Sequence, residues 1–156
     1  MRLEQSDDVL LIETIVNTPE IAHFVLEDND LIFQYSPNAI YLIVRDDHEF
    51  VAGVFILKRL FRNTVEIHTC LFRAFNGKRE AAFLIYGWLI DNGINTLTTM
   101  VPNTYRHVKA FCQSVGMHKS GEIPAAFEKS GTLQTCTMYA ITQDEMKEVL
   151  RCQPPQ

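Results

Sequence analysis

The stretch from Thr64 to Gly93 changes its hydrophobic period in the middle. Thr64–Phe72 is rich in β-branched and apolar side chains, which predicts a strand. Lys78–Asn92 carries apolar residues at three- and four-residue spacing, which predicts a helix. The apolar stripe of that helix consists of Ala81, Leu84, Ile85, Trp88 and Leu89. We therefore expect Leu84 and Trp88 to be buried between this helix and a sheet.

A polar turn that contains Gly77 joins this strand to this helix. The first N–H groups of a helix have no partner within the helix, so a turn of this kind is a candidate site for a phosphate. An ordinary strand-to-helix connection shows the same pattern, and the turn alone does not separate the two readings. At the other end, Asn92-Gly93 is typical of a left-handed helix cap.

The next segment repeats the alternation of strand and helix. Thr96–Val101 is rich in β-branched residues and predicts a strand, Pro102 stops it, and Asn103 opens a second amphipathic helix that extends toward Met117. The central unit is therefore βαβα.

The rest of the chain supplies shorter elements. Asp46-Asp47-His48 separates two β-rich runs and predicts a hairpin, so the sheet begins antiparallel, whereas the crossover helix makes the following strand a parallel neighbour. This mixture predicts an α+β (α/β mixed) fold. The remaining predicted elements, in chain order, are an edge strand (Met1–Glu4), two helices (Ser6–Asn17 and Pro19–Asp28), the hairpin strands (Asn38–Arg45 and Glu49–Leu60), two late strands joined by a long loop (Lys119–Ile123 and Leu133–Ile141) and a last helix (Gln143–Leu150).

Length and composition predict one domain over residues 1–151, followed by a flexible tail at 152–156. The 156 residues are 47% hydrophobic and 21% charged, which is within the range of ordinary globular domains. A net charge of -5 argues against nucleic acid as a partner. Two aspartates near the N-terminus and the lack of an 18-residue apolar run argue against a signal peptide or a membrane partner, so we expect a cytoplasmic protein. The four cysteines form no CxxC pair, so we expect reduced thiols and no metal site.

The βαβα unit resembles the core of the GNAT superfamily of N-acetyltransferases. The second half of the unit resembles a motif of the family, N-x-x-A/S-x-x-F/Y-Y-x-x-x-G-F. The matching residues in this chain are Asn103, Ala110, Phe111, Gly116 and Met117. The family's pyrophosphate turn, R/Q-x-x-G-x-G/A, is degraded to NGKREA in this chain, with Asn76 at the Arg/Gln position and Arg79 at a glycine position. The resemblance covers roughly Ile40 to Ile141, and the order and spacing of the elements carry most of it.

The resemblance implies acetyl-CoA as cosubstrate and an amine as acceptor. In this fold the strand before the turn and the next strand splay apart, and the acyl-CoA arm enters between them. The residues that the resemblance assigns to the cosubstrate are Leu71, Phe72 and Arg73 for pantetheine, Gly77, Lys78 and Arg79 for the diphosphate, and Asn103. A residue at position 79 that needed positive φ would carry a cost of roughly 1 kcal/mol relative to glycine.

Two titratable residues on the central strand are candidates for the general base. Glu66 and His68 lie two residues apart, so both side chains point to one face of the strand. Family members often use a carboxylate or a histidine on this strand, which makes Glu66 the first choice and His68 the second. A polar face covered by solvent, or a buried histidine with partners, is the structural alternative.

The general acid is less evident, because Cys112 stands where the family commonly has a tyrosine. A thiol is a weak hydrogen-bonding group, so Tyr105 or Tyr139 would have to act from elsewhere. Phe111 and Cys112 also fit a plain helix core.

Two functions remain open at this point. The first is an acyl-CoA-dependent N-acetyltransferase. The second is a catalytically inactive GNAT-like structural or interaction protein, because tailed phages encode small proteins of this kind, some associated with particle assembly. Asn76, Arg79 and Cys112 favour the second function. The residues that favour the first are Glu66, Gly77, Asn103 and Gly116. A homodimer or a protein partner is left open.

Overall fold

The computed structural model describes residues 1–152 of the chain. Of the predicted tail, only Cys152 lies within the described residues, and it is exposed. The elements, in chain order, are β1 (Arg2–Gln5), α1 (Val9–Val16), α2 (Pro19–Val25), β2 (Ala39–Arg45), β3 (Val51–Phe61), β4 (Thr64–Leu71), α3 (Lys78–Asp91), β5 (Thr96–Pro102), α4 (Arg106–Ser114), β6 (His118–Lys129), β7 (Thr132–Thr142) and α5 (Gln143–Arg151).

One seven-stranded sheet organises the chain, in the order β1-β2-β3-β4-β5-β7-β6. The β2–β3–β4 meander is antiparallel, and α3 carries the chain to β5, which pairs parallel to β4. The remaining pairs are antiparallel. The predicted α+β fold, with a mixed and mostly antiparallel sheet, is confirmed.

Each face of the sheet buries its own apolar cluster, because side chains alternate along a strand. Val65 and Ile67 of β4 pack with α3 and with Cys112 of α4 on one face. Cys70 of β4 packs with α1 and with Ile21 of α2 on the other face. Glu66 and His68 share the alternation of Cys70 and therefore point to the α1/α2 face.

The buried stripe of α3 differs from the predicted stripe. Ala81, Ala82, Ile85, Tyr86 and Leu89 are the buried residues of the helix. The prediction for Leu84 was wrong, since it is 37% exposed, and Trp88 is only partly buried at the edge of the core. The apolar residues of α3 continue nearly all round the helix, so the spacing alone did not fix the buried face. Gly93 has a φ of 69° and ends the helix as predicted.

The β6–β7 hairpin is longer than the sequence predicted. Its strands extend to Lys129 and Thr132, so the long loop expected between Ile123 and Leu133 was wrong. The register shifts between Ile123 and Phe127, and Ala125 has a φ of 49°, which interrupts the alternation from which a strand is recognised. A smaller correction applies to Glu49, which lies in the preceding turn with a φ of 64° rather than in β3.

Within residues 1–152, the structure contains no helix with the length and apolar character needed to cross a membrane.

Candidate functional site

Strands β4 and β5 diverge after a short parallel contact. They pair only between Thr64–Glu66 and Thr96–Thr98, although β4 continues to Leu71 and β5 to Pro102. We call the open part, between residues 67–71 and 99–102, the fork. Thr99 Oγ1 donates to the backbone oxygen of Ile67 over 3.0 Å at the point where the strands separate. This is the splay that the family resemblance implies.

Glu66 and His68 lie at the base of the fork. Glu66 is only 7% exposed, yet its Oε1 has no hydrogen-bond partner among the described residues, and neither has His68 Nε2. The other carboxylate oxygen, Glu66 Oε2, lies 3.8 Å from His68 Nε2. A buried polar atom without a partner costs about 1–3 kcal/mol, so a cluster of such atoms marks a place where a ligand would be stabilising.

The charge state of Glu66 follows from its neighbours. The adjacent His68 ring is the largest influence and lowers the pKa of the Glu66 carboxyl, and Lys58 lowers it further. Burial acts in the opposite direction and raises this pKa. The net direction is downward, so Glu66 is a carboxylate at neutral pH and can accept a proton.

Tyr105 provides a third buried polar atom without a partner. It precedes the first turn of α4, just beyond the end of β5. Its ring contacts Phe24 of α2 and Phe127 of β6, at centroid distances of 5.3 and 6.1 Å, and its hydroxyl has no partner among the described residues. Burial raises the pKa of Tyr105, and Asp28 and Cys136 raise it further. The hydroxyl therefore keeps its proton and can donate it.

Cys112 and Tyr139 belong to the core rather than to the fork. Cys112 is 5% exposed and packs with Val65 and Ile67, on the face of β4 opposite to Glu66. Burial raises the pKa of its thiol to about 11. The candidate acid Cys112 therefore does not face the candidate base Glu66, because alternation along β4 separates the two faces. Tyr139 is buried in the same cluster as Cys112.

The turn before α3, Phe72–Gly77, offers backbone donors. Gly77 is the N-cap of α3, no side chain caps it, and the first intrahelical hydrogen bond runs from Ala81 N to Gly77 O. The N–H groups of Lys78, Arg79 and Glu80 therefore have no acceptor among the described residues, as expected for a helix start. A Cβ at Gly77 would meet the end of the Met1 side chain and the Phe75 ring, 2.7 Å away, so a larger residue here would require these side chains to move.

Other groups assigned to the cosubstrate already have protein partners. Lys78 Nζ donates to the backbone oxygens of Arg73, over 3.0 Å, and of Phe75. Phe72 N donates to Ala52 O over 3.0 Å, and Leu71 pairs with Gly53 in the sheet. These contacts hold the turn in shape without a ligand.

Arg79 and Asn103 have structural contacts as well. Arg79 lies in the first turn of α3 without positive φ, so the expected backbone cost is absent, and its guanidinium lies 5.5 Å from the centre of the Phe83 ring. Asn103 Oδ1 accepts from Thr137 Oγ1 of β7 and from Lys109 Nζ, the latter over 3.4 Å.

The cavity beside the turn is acidic. It has a volume of about 620 Å³ and is lined by residues that include Glu20, Asp46 and Asp47. The N-terminal ammonium of Met1 pairs with Asp47. Carboxylates at this position oppose the binding of a diphosphate, while the free N–H groups of α3 favour it.

Residues 5–152 match the sequence family described as "Protein of unknown function (DUF2824)". The chain belongs to the DUF2824 family. One relative of this DUF2824 protein is protein p31 of Acyrthosiphon pisum secondary endosymbiont phage 1, with 27% identity over 122 residues, which are 76% of this chain and 78% of p31.

Solved structures show the same fold. Spermidine N-acetyltransferase from Vibrio cholerae, in complex with CoA and spermine, matches the DUF2824 chain with a TM-score of 0.78 and 12% identity, over 93% of this chain and 96% of that one. A candidate acetyltransferase from Acinetobacter baylyi ADP1 matches with a TM-score of 0.70 and 18% identity, over 92% of each chain. At these identities the similarity shows the fold alone, and that fold is the GNAT fold.

Sequence reasoning missed two parts of this site. The aromatic contacts of Tyr105 come from Phe24 and Phe127, about 80 residues before it and 20 after it, and no local pattern links them. The side-chain hydrogen bond of Thr99 at the base of the fork was also missed. The usable signal was the position of Thr99, one residue beyond the last pair of the parallel strands.

Proposed function

We propose that this protein transfers an acetyl group from acetyl-CoA to an amine inside the fork. The observation that carries the proposal is the buried carboxylate of Glu66, which lies beside His68 at the point where β4 and β5 separate. Its Oε1 has no partner among the described residues. A buried base next to a cleft is a typical feature of general acid–base catalysis. The solved neighbour with CoA and spermine supports a CoA cosubstrate and an amine acceptor.

In the proposed reaction, Glu66 removes a proton from the ammonium form of the acceptor, directly or with His68. The neutral amine nitrogen attacks the thioester carbonyl carbon, a C–N bond forms and the C–S bond breaks. The nitrogen loses two protons in total. One reaches solvent through Glu66, and the other replaces the proton that Tyr105 gives to the leaving thiolate, so the products are the N-acetyl amine, CoA and one proton. A positioned base contributes about 10²–10⁴-fold to such a rate.

The acetyl-CoA itself would lie along β4, with its diphosphate at the free N–H groups of Lys78, Arg79 and Glu80. A helix N-terminus favours an anion through its dipole and its unpaired donors. Leu71, Phe72 and Arg73 would contact pantetheine through the edge of β4 that has no strand partner beyond Glu66 in the described residues. Asn103 would act indirectly, by holding the start of α4 against β7.

A second candidate function is a non-catalytic interaction protein, as in phage particle assembly. The turn favours this second function, because Lys78 Nζ donates to backbone oxygens of the turn and acidic residues line the neighbouring cavity. The phage relative p31 agrees with a phage setting.

Calorimetric titration with acetyl-CoA separates the two functions. We expect binding on the micromolar scale, about -8 kcal/mol, for the enzyme. Pantetheine is the control ligand, because it lacks the diphosphate and should bind much more weakly. If millimolar acetyl-CoA gives neither heat nor a thermal shift, the acetyltransferase function is ruled out and the interaction protein is favoured.

A further inference from the structure

Hydrogen bonds join two segments that are about 100 residues apart in the chain. We call these segments the latch: Leu26–Asn29, which follows α2, and Glu128–Gly131, the end of β6 and the turn to β7. Asp28 is the centre of the latch, since its two carboxylate oxygens accept from Ser130 N over 2.8 Å and from Gly131 N over 2.6 Å. Ser130 has a φ of 54° and Gly131 a φ of 70°, so both N–H groups turn toward one acceptor.

Further hydrogen bonds extend the latch on both sides of Asp28. Its own N–H donates to Glu128 O over 3.2 Å, and Glu128 N donates to Glu27 Oε2 over 2.8 Å. Lys129 Nζ donates to Leu26 O over 2.8 Å, and Asn29 Nδ2 donates to Glu128 Oε2 over 3.2 Å. The two segments therefore form a continuous connection rather than a single contact.

The two segments of the latch are attached to the two arms of the fork. One of its segments follows α2, which packs on β4, the first arm of the fork, through Ile21 and Cys70. The other segment belongs to the hairpin whose strand β7 pairs with β5, the second arm. Helix α2 lies on the face of the sheet to which Glu66 and His68 point, so the segment of the latch that follows α2 starts from that face.

Aromatic residues next to the two segments of the latch meet at Tyr105. Phe24 precedes one segment of the latch and Phe127 precedes the other, and both rings contact Tyr105. The Tyr105 hydroxyl is enclosed without a partner. The negative charge of Asp28 contributes to the raised pKa of Tyr105, in agreement with a position close to that ring.

We propose that the latch restricts the acceptor to small amines and that Asp28 is the specificity-determining residue. This inference rests on the proposed acetyl transfer, because the latch selects among acceptors for that reaction. A short amine fits beneath the closed latch, whereas a long or branched amine requires the hairpin to open. Opening breaks charge-assisted hydrogen bonds to Asp28, which are about twice as strong as neutral ones.

The test compares the wild type with Asp28→Ala and with Asp30→Ala as a matched control. Asp30 directly follows this segment of the latch and carries the same charge, but within residues 1–152 its carboxylate accepts only from Glu27 N and not from the hairpin. Amide hydrogen exchange of residues 128–131 reports latch opening independently of activity. Competition between 1,4-diaminobutane and spermine, with acetyl-CoA, reports specificity as a ratio of kcat/KM values.

For Asp28→Ala we expect faster exchange at residues 128–131 and a ratio shifted about tenfold or more toward spermine, while Asp30→Ala matches the wild type. Turnover with an unchanged ratio, despite faster exchange, would overturn this inference and leave the acetyltransferase function standing. Unchanged exchange in Asp28→Ala would overturn it as well. No turnover with any amine in the wild type would overturn both the proposed function and this inference.

Discussion

The fork and the turn before α3 are the two halves of one candidate site, and they differ in how their polar groups are satisfied. At the fork, Glu66 Oε1, His68 Nε2 and the Tyr105 hydroxyl are buried without partners in the part of the chain that the structure describes. At the turn, Lys78 Nζ donates to backbone oxygens, and Met1 and Phe75 pack against Gly77. The unpaired polar groups of the fork lower the stability of the fold, whereas the Lys78 ammonium and the backbone oxygens that it contacts at the turn are paired within the protein.

This difference separates two requirements of the fold. A folded chain gains stability when each buried polar atom has a partner, so unpaired atoms persist where a function or a ligand compensates for them. On this criterion the fork carries the stronger sign of function. The turn contains a helix start that could bind a diphosphate, but acidic residues lie beside it. We therefore expect the turn to contribute less to cosubstrate affinity than its free N–H groups alone would suggest.

The largest expected effect concerns the fork. Glu66→Gln should lower kcat/KM by at least about tenfold, within the 10²–10⁴-fold range of a positioned base, and leave acetyl-CoA affinity unchanged. Because the pKa of Glu66 is lowered, the carboxylate is present throughout neutral pH, and activity should fall only as pH drops through this lowered pKa. Release of free CoA with a panel of amines measures the rates.

Glu148→Gln is the control for this variant, since Glu148 is an exposed carboxylate on α5 without a hydrogen bond or ion pair in the described residues. It should behave like the wild type. Equal rates for the wild type and Glu66→Gln would remove Glu66 from the mechanism and, with it, the contrast between the two regions.

A second prediction concerns α3, which connects the two regions because it starts at the turn and packs over β4. Ile85 is 1% exposed, so Ile85→Ala should lower the free energy of unfolding by about 2–5 kcal/mol. Leu84→Ala, one residue away and exposed, should change it by less than about 1 kcal/mol. Urea unfolding of both variants measures this, and similar losses in the two would show that the buried face of α3 is assigned wrongly.

The order of elements could be predicted from the sequence, whereas the buried face of α3 and the length of β6 could not. Periodicity and the Pro and Gly signals identify the β4–α3–β5–α4 unit, because these signals are local. The buried face of α3 was ambiguous because the apolar residues of that helix lie on nearly all of its sides. Strand β6 is exposed along most of its length and contains Pro124, so it lacks the alternation of a half-buried strand.

The candidate site was predictable only in its local part. Glu66 and His68 share a face because they lie two residues apart on one strand, and this needs no tertiary information. The positions of Cys112 and Tyr105 depend on how α4 packs, which the spacing of residues along one helix does not define. The latch joins Asp28 to Ser130 across about 100 residues, and a single sequence carries no signal for such a contact.

A third prediction distinguishes Tyr105 from Cys112 as proton donor. Tyr105→Phe removes a buried hydroxyl that has no partner within residues 1–152, so stability should stay the same or rise slightly, while kcat should fall by about tenfold. Cys112→Ser places a hydroxyl in the apolar core and should lower stability by about 1–3 kcal/mol with little change in turnover per folded molecule. Thermal unfolding and CoA release measure both variants. A fall in turnover in Cys112→Ser alone would return the role of acid to the thiol.

The smallest expected effect concerns the turn. Asp47→Asn removes a carboxylate that lines the cavity beside Gly77 and frees the ammonium of Met1 from its ion pair, so acetyl-CoA should bind about two- to fivefold more tightly at low salt. The gain should vanish near 1 M salt, where the screening length is only about 3 Å. Asp91→Asn is the matched control, because it removes the same charge at the far end of α3, roughly 20 Å from the turn. Titration calorimetry at two salt concentrations measures the change. An equal gain in affinity in the two variants would attribute the gain to net charge. No gain in either variant would show that the acidic cavity does not weaken the binding of acetyl-CoA at the turn. The contrast with the fork would then rest on the hydrogen bonds of Lys78 alone.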